Sequence, residues 1–266
     1  MSDPGTIVAA PPPLPQVPVA KPSPWRFWTT LGMGVAIAMV FTTIQSFVAI
    51  GLVFFFHWEG PEGMAGLLEN VETLIHDGRV LSVSMLISFP VMLAGCLFFA
   101  HLRRGMSCRD YFSLKPMRKV WWLLLPLFTV GFSLALGCLL QCAGAPESNE
   151  WMLQIAASAR EHPSVLIGLV LFAPIAEEFL FRGFLFRGWE ESRLGVVGTI
   201  LFTSVTWALI HGQYDVYGLI FIFALGVVLG VARWKTGSIY APILIHLVNN
   251  AFAMFMVMRF SESVPV

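Results

Sequence analysis

The sequence is short of charge. Only 12% of its 266 residues are Asp, Glu, Lys or Arg, against about 25% in a typical soluble domain. Hydrophobic residues make up 57%, and mean hydropathy is +0.76. This excludes an ordinary water-soluble fold and points to a membrane protein. Basic and acidic residues balance at 16 each, so neither sign is in excess to hold nucleic acid or another polyanion. Cysteine is scarce too. Cys96, Cys108, Cys138 and Cys142 show neither CxxC nor zinc-finger spacing, and three of them fall in apolar runs, so they read as small packing residues. There is no basic segment followed by an apolar core and a small-residue cleavage site. Residues 1–24 are rich in Pro and Ala and read as a disordered cytoplasmic tail. No repeat of domain size is visible, which argues against the transporter folds built from inverted halves. HExxH, GxSxG and a pair of intramembrane aspartates are all missing, which removes three protease chemistries.

What is present is long apolar runs. A helix needs about 20 apolar residues to cross the hydrocarbon core. Candidate spans lie at 29–56, 81–101, 120–142, 164–192, 196–212, 216–233 and 239–258. A further helix around Glu147–Ala159 is expected to lie at the interface. The expectation is an all-α polytopic membrane protein, a bundle of about 7–8 transmembrane helices. It divides into the tail (1–24), N-terminal transmembrane helices (25–160) and a C-terminal transmembrane core (161–260). Lys and Arg concentrate before the first span, in the 102–119 connection and around 233–238, so those segments and the N-terminus are expected to be cytoplasmic. The protein is expected in the plasma (inner) membrane if bacterial. Seven spans would put the C-terminus outside.

Ionisable residues deep in a bilayer are costly and mark function or a partner. Here they gather in the C-terminal half: Glu177, Glu178 and Arg182 in the fourth span, His211 at the end of the fifth, and His246 in the seventh, with the polar amides Asn249 and Asn250 after it. Residues four apart share a helix face, so Glu178 is expected to pair with Arg182. Glu177, about 100° around, is left to face another helix. With a turn at 192–195, Glu178 and His211 fall at similar height, roughly 21–24 Å from it, whereas His246 starts shallower, about 10–15 Å from the basic turn. The stretch FLFRG occurs twice, at 179–183 and 184–188. Arg187 is half a turn away from Glu178, so it reads as a snorkelling interfacial residue and not a site residue. Asn249 reads as structural. Gly226 and Gly230 form a GxxxG, a close-packing face.

A carboxylate and a histidine within reach can hold and deprotonate a water, and a second histidine with an asparagine can stabilise an oxyanion. The same Glu177, His211 and His246 set could instead bind Zn²⁺. A third use is a proton or ion relay in a transporter, or a scaffold without catalysis.

The pattern Glu177-Glu178-xxx-Arg182, Trp207-xxx-His211, His246-xxx-Asn250 resembles the CAAX protease and bacteriocin-processing (Abi) family of intramembrane endopeptidases, whose signature is EExxxR, F/WxxxH and HxxxN on successive membrane helices. All three motifs occur in order across about residues 164–258. The resemblance implies a multi-helix membrane protease cutting peptide bonds of a membrane-tethered protein. Eukaryotic members remove the last three residues of prenylated CAAX proteins. It further implies that Glu177 and His211 activate the water, that Glu178 and Arg182 support that glutamate, and that His246 and Asn250 stabilise the oxyanion. The family's metalloprotease label leaves Zn²⁺ and a metal-free, glutamate-activated water both open. The first 160 residues carry no family motif.

Overall fold

A computed structural model describes residues 23–58, 60, 63–69, 74, 77–146 and 149–260. The expected tail up to 22, and Glu147 of the expected interfacial helix, lie outside them. Among the described residues the chain is helical, with no strand. In chain order the helices are α1 (Phe27–His57), α2 (Met64–Glu69), α3 (Gly78–His101), α4 (Cys108–Tyr111), α5 (Trp121–Cys142), α6 (Glu150–Glu161), α7 (Ser164–Trp189), α8 (Gly195–Leu209), α9 (Val216–Thr236) and α10 (Tyr240–Phe260). Six of them, α1, α3, α5, α7, α9 and α10, are long and apolar enough to cross a membrane. The polytopic all-α expectation holds.

The fifth expected span is the exception. α8 has 15 residues, about 22 Å of helix against a hydrocarbon core of about 30 Å. Its chain ends early at Ile210–Asp215, where a turn leads directly into α9. The expected interfacial helix is α6, amphipathic and capped by Asn149, whose Oδ1 accepts from the Met152 backbone N–H at 3.3 Å. Ile155, Ala156 and Ala159 of α6 pack with Val165 of α7 and Met254 of α10, so α6 lies across one end of the bundle.

The basic segments share the opposite end. Arg103 Nε donates to Ser23 O at 2.8 Å, and the Trp25 indole donates to Phe99 O at 2.9 Å. Trp189, next to the 190–195 turn, donates to Phe27 O at 3.2 Å. Ser238 Oγ donates to Lys115 O at 2.6 Å. Thus the start of α1 and the connections 102–119, 190–195 and 233–238 form one face of the protein. The core lies between α3, α7, α9 and α10, around Phe89, Phe181, Phe184, Trp207 and Leu225. α1 and α5 turn large apolar side chains outwards, such as Phe47, Phe55, Leu123 and Leu127, as lipid-facing helices do.

The GxxxG face does close α8 against α9. A Cβ on Gly226 would sit 3.0 Å from Ser204 Cβ and 3.1 Å from Ser204 Cα, and one on Gly230 would sit 3.0 Å from Ile200 Cγ2. Backbones can approach this closely only where side chains are absent.

Candidate active site

α7 carries the two glutamates on an α-helical stretch, Ala173–Glu178, flanked by two π-helical stretches, Ile167–Phe172 and Phe179–Leu185. π turns inside a helix recur at functional sites. The second one matters for packing, since it brings Gly183 against Phe112, where a Cβ would meet the ring at 2.7 Å. The Glu178–Arg182 pairing expected from ordinary helical spacing survives the wider turn.

Two linked groups of side chains result. In the first, Glu178 Oε1 accepts from Arg182 Nη1 at 3.0 Å and from His246 Nδ1 at 2.9 Å. Glu178 and Arg182 are wholly buried, and His246 is 3% exposed. Arg182 Nη2 donates to the Gly226 carbonyl at 3.2 Å, so the GxxxG face also supplies an acceptor for the buried guanidinium. In the second group, Glu177 Oε2 accepts from the Trp207 indole N–H at 2.7 Å, and His211 Nδ1 meets the Trp207 carbonyl at 2.7 Å. A carbonyl only accepts, so His211 Nδ1 carries the proton and its Nε2 is left with a lone pair. By the same reasoning His246 Nδ1 carries a proton towards Glu178, and Nε2 is its free end.

Trp207 joins the two groups. Its ring lies 4.6 Å from the Arg182 guanidinium and meets the rings of His211 and His246 edge-on at 5.1 Å each. Asn250 Nδ2 donates to the Leu169 carbonyl at 3.0 Å, and Asn249 accepts from Ser133 Oγ on α5 at 3.0 Å. Asn249 therefore ties α10 to α5, as its structural reading expects.

These residues sit on a cavity of about 650 Å³. Glu177, Trp207, His211, His246 and Asn250 line it, while Glu178 and Arg182 lie behind the wall. The rest of the lining is chiefly apolar and includes Phe41 from α1 and Met85, Phe89 and Met92 from α3. The motif-free N-terminal half thus builds part of the cavity. Tyr214, in the α8–α9 connection, lines it too, with its hydroxyl donating to Met152 Sδ at 3.2 Å. Burial, with the nearby Glu177 charge adding to it, pushes the Tyr214 phenol well above its ordinary range, so it stays protonated.

Arg187 does not join the site. It pairs with Glu190 at 2.6 Å and Glu191 at 2.8 Å near the basic end. Arg233 is a different case. Its place beside Lys235 implies a charge of the cytoplasmic turn, yet it is buried. Its Nε donates to Arg182 O at 3.1 Å and its Nη2 to Ser113 Oγ at 2.8 Å. No motif or spacing would have shown that. The Trp207 role had a signal, as the aromatic position of the second motif.

The Zn²⁺ option can be judged from the donors. Among the described residues no three His, Cys, Asp or Glu side chains converge as a metal-binding group. As placed, the described residues do not form a Zn²⁺ ligand set.

Comparison with known proteins agrees with the motifs. Residues 160–252 match the family model described as Type II CAAX prenyl endopeptidase Rce1-like. The chain is 24% identical over 229 residues, 84% of its length and 87% of the relative's, to the Bacillus subtilis (strain 168) protein named "Putative membrane peptidase YdiL". It is 30% identical over 84 residues to an uncharacterized 24.3 kDa protein of Escherichia coli, covering 31% of this chain and 39% of that one. No solved structure matches the chain. The resemblance carried by the three motifs is therefore borne out: this is an integral membrane protein whose residues 160–252 are similar to the Rce1-like, type II CAAX prenyl endopeptidase family.

Proposed function

We propose that the protein is an intramembrane endopeptidase that hydrolyses a peptide bond of a membrane-tethered substrate, a prenylated CAAX protein or another tethered peptide, by a water activated between Glu177 and His211. The observation that carries the reading is the convergence of Glu177, His211, His246 and Asn250 on one largely apolar cavity, with each histidine's Nδ1 already committed. A site that excludes bulk water strengthens every charge interaction inside it.

In this mechanism Glu177 takes one proton from the water, whose other hydrogen is accepted by His211 Nε2, and the water oxygen attacks the scissile carbonyl carbon. The carbonyl oxygen gains the negative charge. It is met by the free Nε2 end of His246, as an N–H donor when the ring carries both protons, and by the second amide hydrogen of Asn250. The C–N bond then breaks, and Glu177 delivers its proton to the leaving amine. Glu178, held by Arg182, orients His246. Trp207 orients both Glu177 and His211 through its indole N–H and its carbonyl. The protein would sit in a plasma membrane with its N-terminus cytoplasmic.

Glu177→Gln tests this directly. Glutamine still accepts from the Trp207 indole, so the fold is kept while the base is lost. A positioned general base contributes about 10²- to 10⁴-fold, and turnover of a membrane-tethered fluorogenic peptide by purified enzyme in liposomes should fall by that factor. Undiminished turnover would sink the mechanism. Proton flux without any cleavage by the unaltered protein would favour an ion relay instead. Full activity after chelation, with no metal in the purified protein, is the expected result for a metal-free water.

A further inference from the structure

We infer that the cavity takes its substrate from the extracytoplasmic side: an extended segment tethered at the outer leaflet, with an apolar side chain or acyl chain next to the scissile bond. The inference rests on the endopeptidase reading of this site and adds the face from which it is served.

Two independent observations carry it. The first is where the cavity lies. No lining residue lies in the last turn of a long helix at the basic face, whereas the connections at the other end contribute Ala145, Asn149, His211 and Asp215. On α5 the lining begins at Gly137 and runs to Gln141; on α7 it runs from Leu169 to Phe181; on α8 it begins at Trp207; on α9 it ends at Leu225. Exposed polar residues at that end, Gln141, Gln213 and Asp215, mark the mouth. Towards the basic face the cavity is closed by Phe181, Trp207 and Leu225, and beyond them by the buried Arg182 and Arg233.

The second observation is charge. Of the sixteen Lys and Arg, eleven described residues lie at the closed end: one at 26, six from 103 to 119, two at 187 and 193, and two at 233 and 235. The open end has Arg79, Arg160 and Arg259. Lys and Arg in short connections face the cytoplasm, so the mouth faces away from it. The zero net charge of the chain conceals this asymmetry.

Depth then limits the substrate. Glu177 lies 13 residues into α7 from Ser164, about 20 Å of helix. An extended chain covers about 3.3–3.6 Å per residue, so about six residues must thread down to the glutamate. A folded surface loop does not do this, whereas a flexible segment beside a membrane anchor does. Phe41, Met85, Phe89 and Met92 form the inner wall, and methionine adapts to irregular apolar shapes, which suits a bulky apolar group beside the bond.

The test has two arms. In a background with the four native cysteines replaced by alanine, Gln213→Cys marks the mouth and Arg104→Cys marks the basic face. A membrane-impermeant maleimide on intact cells should label the Gln213→Cys protein as fully as in detergent. It should label the Arg104→Cys protein only after permeabilisation. The reverse pattern overturns the proposal. In the second arm, a palmitoylated quenched-fluorescence peptide with a multiply charged, impermeant end is offered to spheroplasts and to sealed inverted vesicles. Cleavage by spheroplasts, and by inverted vesicles only once detergent opens them, is expected. Cleavage by sealed inverted vesicles alone overturns the proposal. No cleavage even in detergent overturns the endopeptidase reading and the substrate with it, while the thiol arm still reports which face bears the mouth.

Discussion

Replacing Arg182 with methionine keeps most of its volume and removes its charge. In the structure both partners of the Glu178–Arg182 pair are completely buried at 3.0 Å, and Arg182 Nη2 has its own acceptor in Gly226 O. Arg182→Met leaves the Glu178 carboxylate buried with only His246 as a hydrogen-bond donor. Breaking a buried pair by removing one partner costs about 3–5 kcal/mol. At about 2–4 °C per kcal/mol for a chain of this size, thermal unfolding in detergent micelles, followed by tryptophan fluorescence, should begin about 6–20 °C earlier. The decisive comparison is Glu178→Gln combined with Arg182→Met. Glutamine still accepts from His246 Nδ1 and carries no charge, so the double variant should be more stable than Arg182→Met alone. Buried groups that interact are non-additive in this way. A double variant less stable than the single one, or an Arg182→Met protein that unfolds at the wild-type midpoint, would refute the reasoning.

Other expectations follow from single contacts. Trp207→Phe keeps the ring beside Arg182 and the histidines but removes the 2.7 Å donor to Glu177. A hydrogen bond to a charged group is worth about 1.5–3 kcal/mol, so kcat should fall about ten- to a hundredfold with little change in folding, and an unchanged kcat would contradict the positioning role. Asp77 caps α3 by accepting from the Arg79 and Val80 backbone N–H groups, and the Arg79 side-chain hydrogen bond, ahead of these, holds its carboxyl down at about 2. Because the folded value is depressed, its stabilisation is complete above the ordinary carboxyl value of 3.8 and is lost as pH falls towards 2. Asp77→Ala should thus cost about 1 kcal/mol at neutral pH and progressively less as pH falls from 3.8 towards 2, read from unfolding midpoints across that range. Gly226→Leu would force α8 from α9 at the Ser204 backbone and destabilise by about 1–3 kcal/mol; a wild-type midpoint would show that the helices are not closely packed there.

Much of this was legible in the residues. The apolar runs placed six long helices to within three residues at each end. The amphipathic stretch before the fourth span emerged as α6, and three motifs marked the cavity wall. The two copies of FLFRG separated as helix geometry requires, Arg182 inwards to Glu178 and Arg187 outwards to Glu190 and Glu191. What the sequence concealed depended on tertiary partners. A π turn at 179–185 differs from an α turn only in which carbonyl each N–H reaches, and nothing in the residue pattern declares it. Arg233 shows the same limit. Counting charges near span ends treats it like Lys235, but the neighbouring Ser113 hydroxyl and Arg182 carbonyl draw its guanidinium inwards.

The depth of His246 shows why the motif-free half is needed. Counted from the basic turn, His246 starts too shallow to reach Glu178, yet it bonds Glu178 at 2.9 Å. The discrepancy disappears because that turn is not at the surface. Ser238, Ile239 and Ala241 are fully buried beneath the 112–119 connection. Ser238 Oγ donates to Lys115 O, and the Ile239 N–H donates to Ser113 O at 3.3 Å. Irregular backbone inside a bilayer is tolerated only where protein satisfies its polar groups, and this connection does so. Ser113 itself adopts a left-handed φ of 52°, which a residue other than glycine holds only where its surroundings fix it. Its carbonyl serves Ile239 and its hydroxyl serves Arg233. Residues 112–119 therefore lower the start of α10 and set its third motif level with the first.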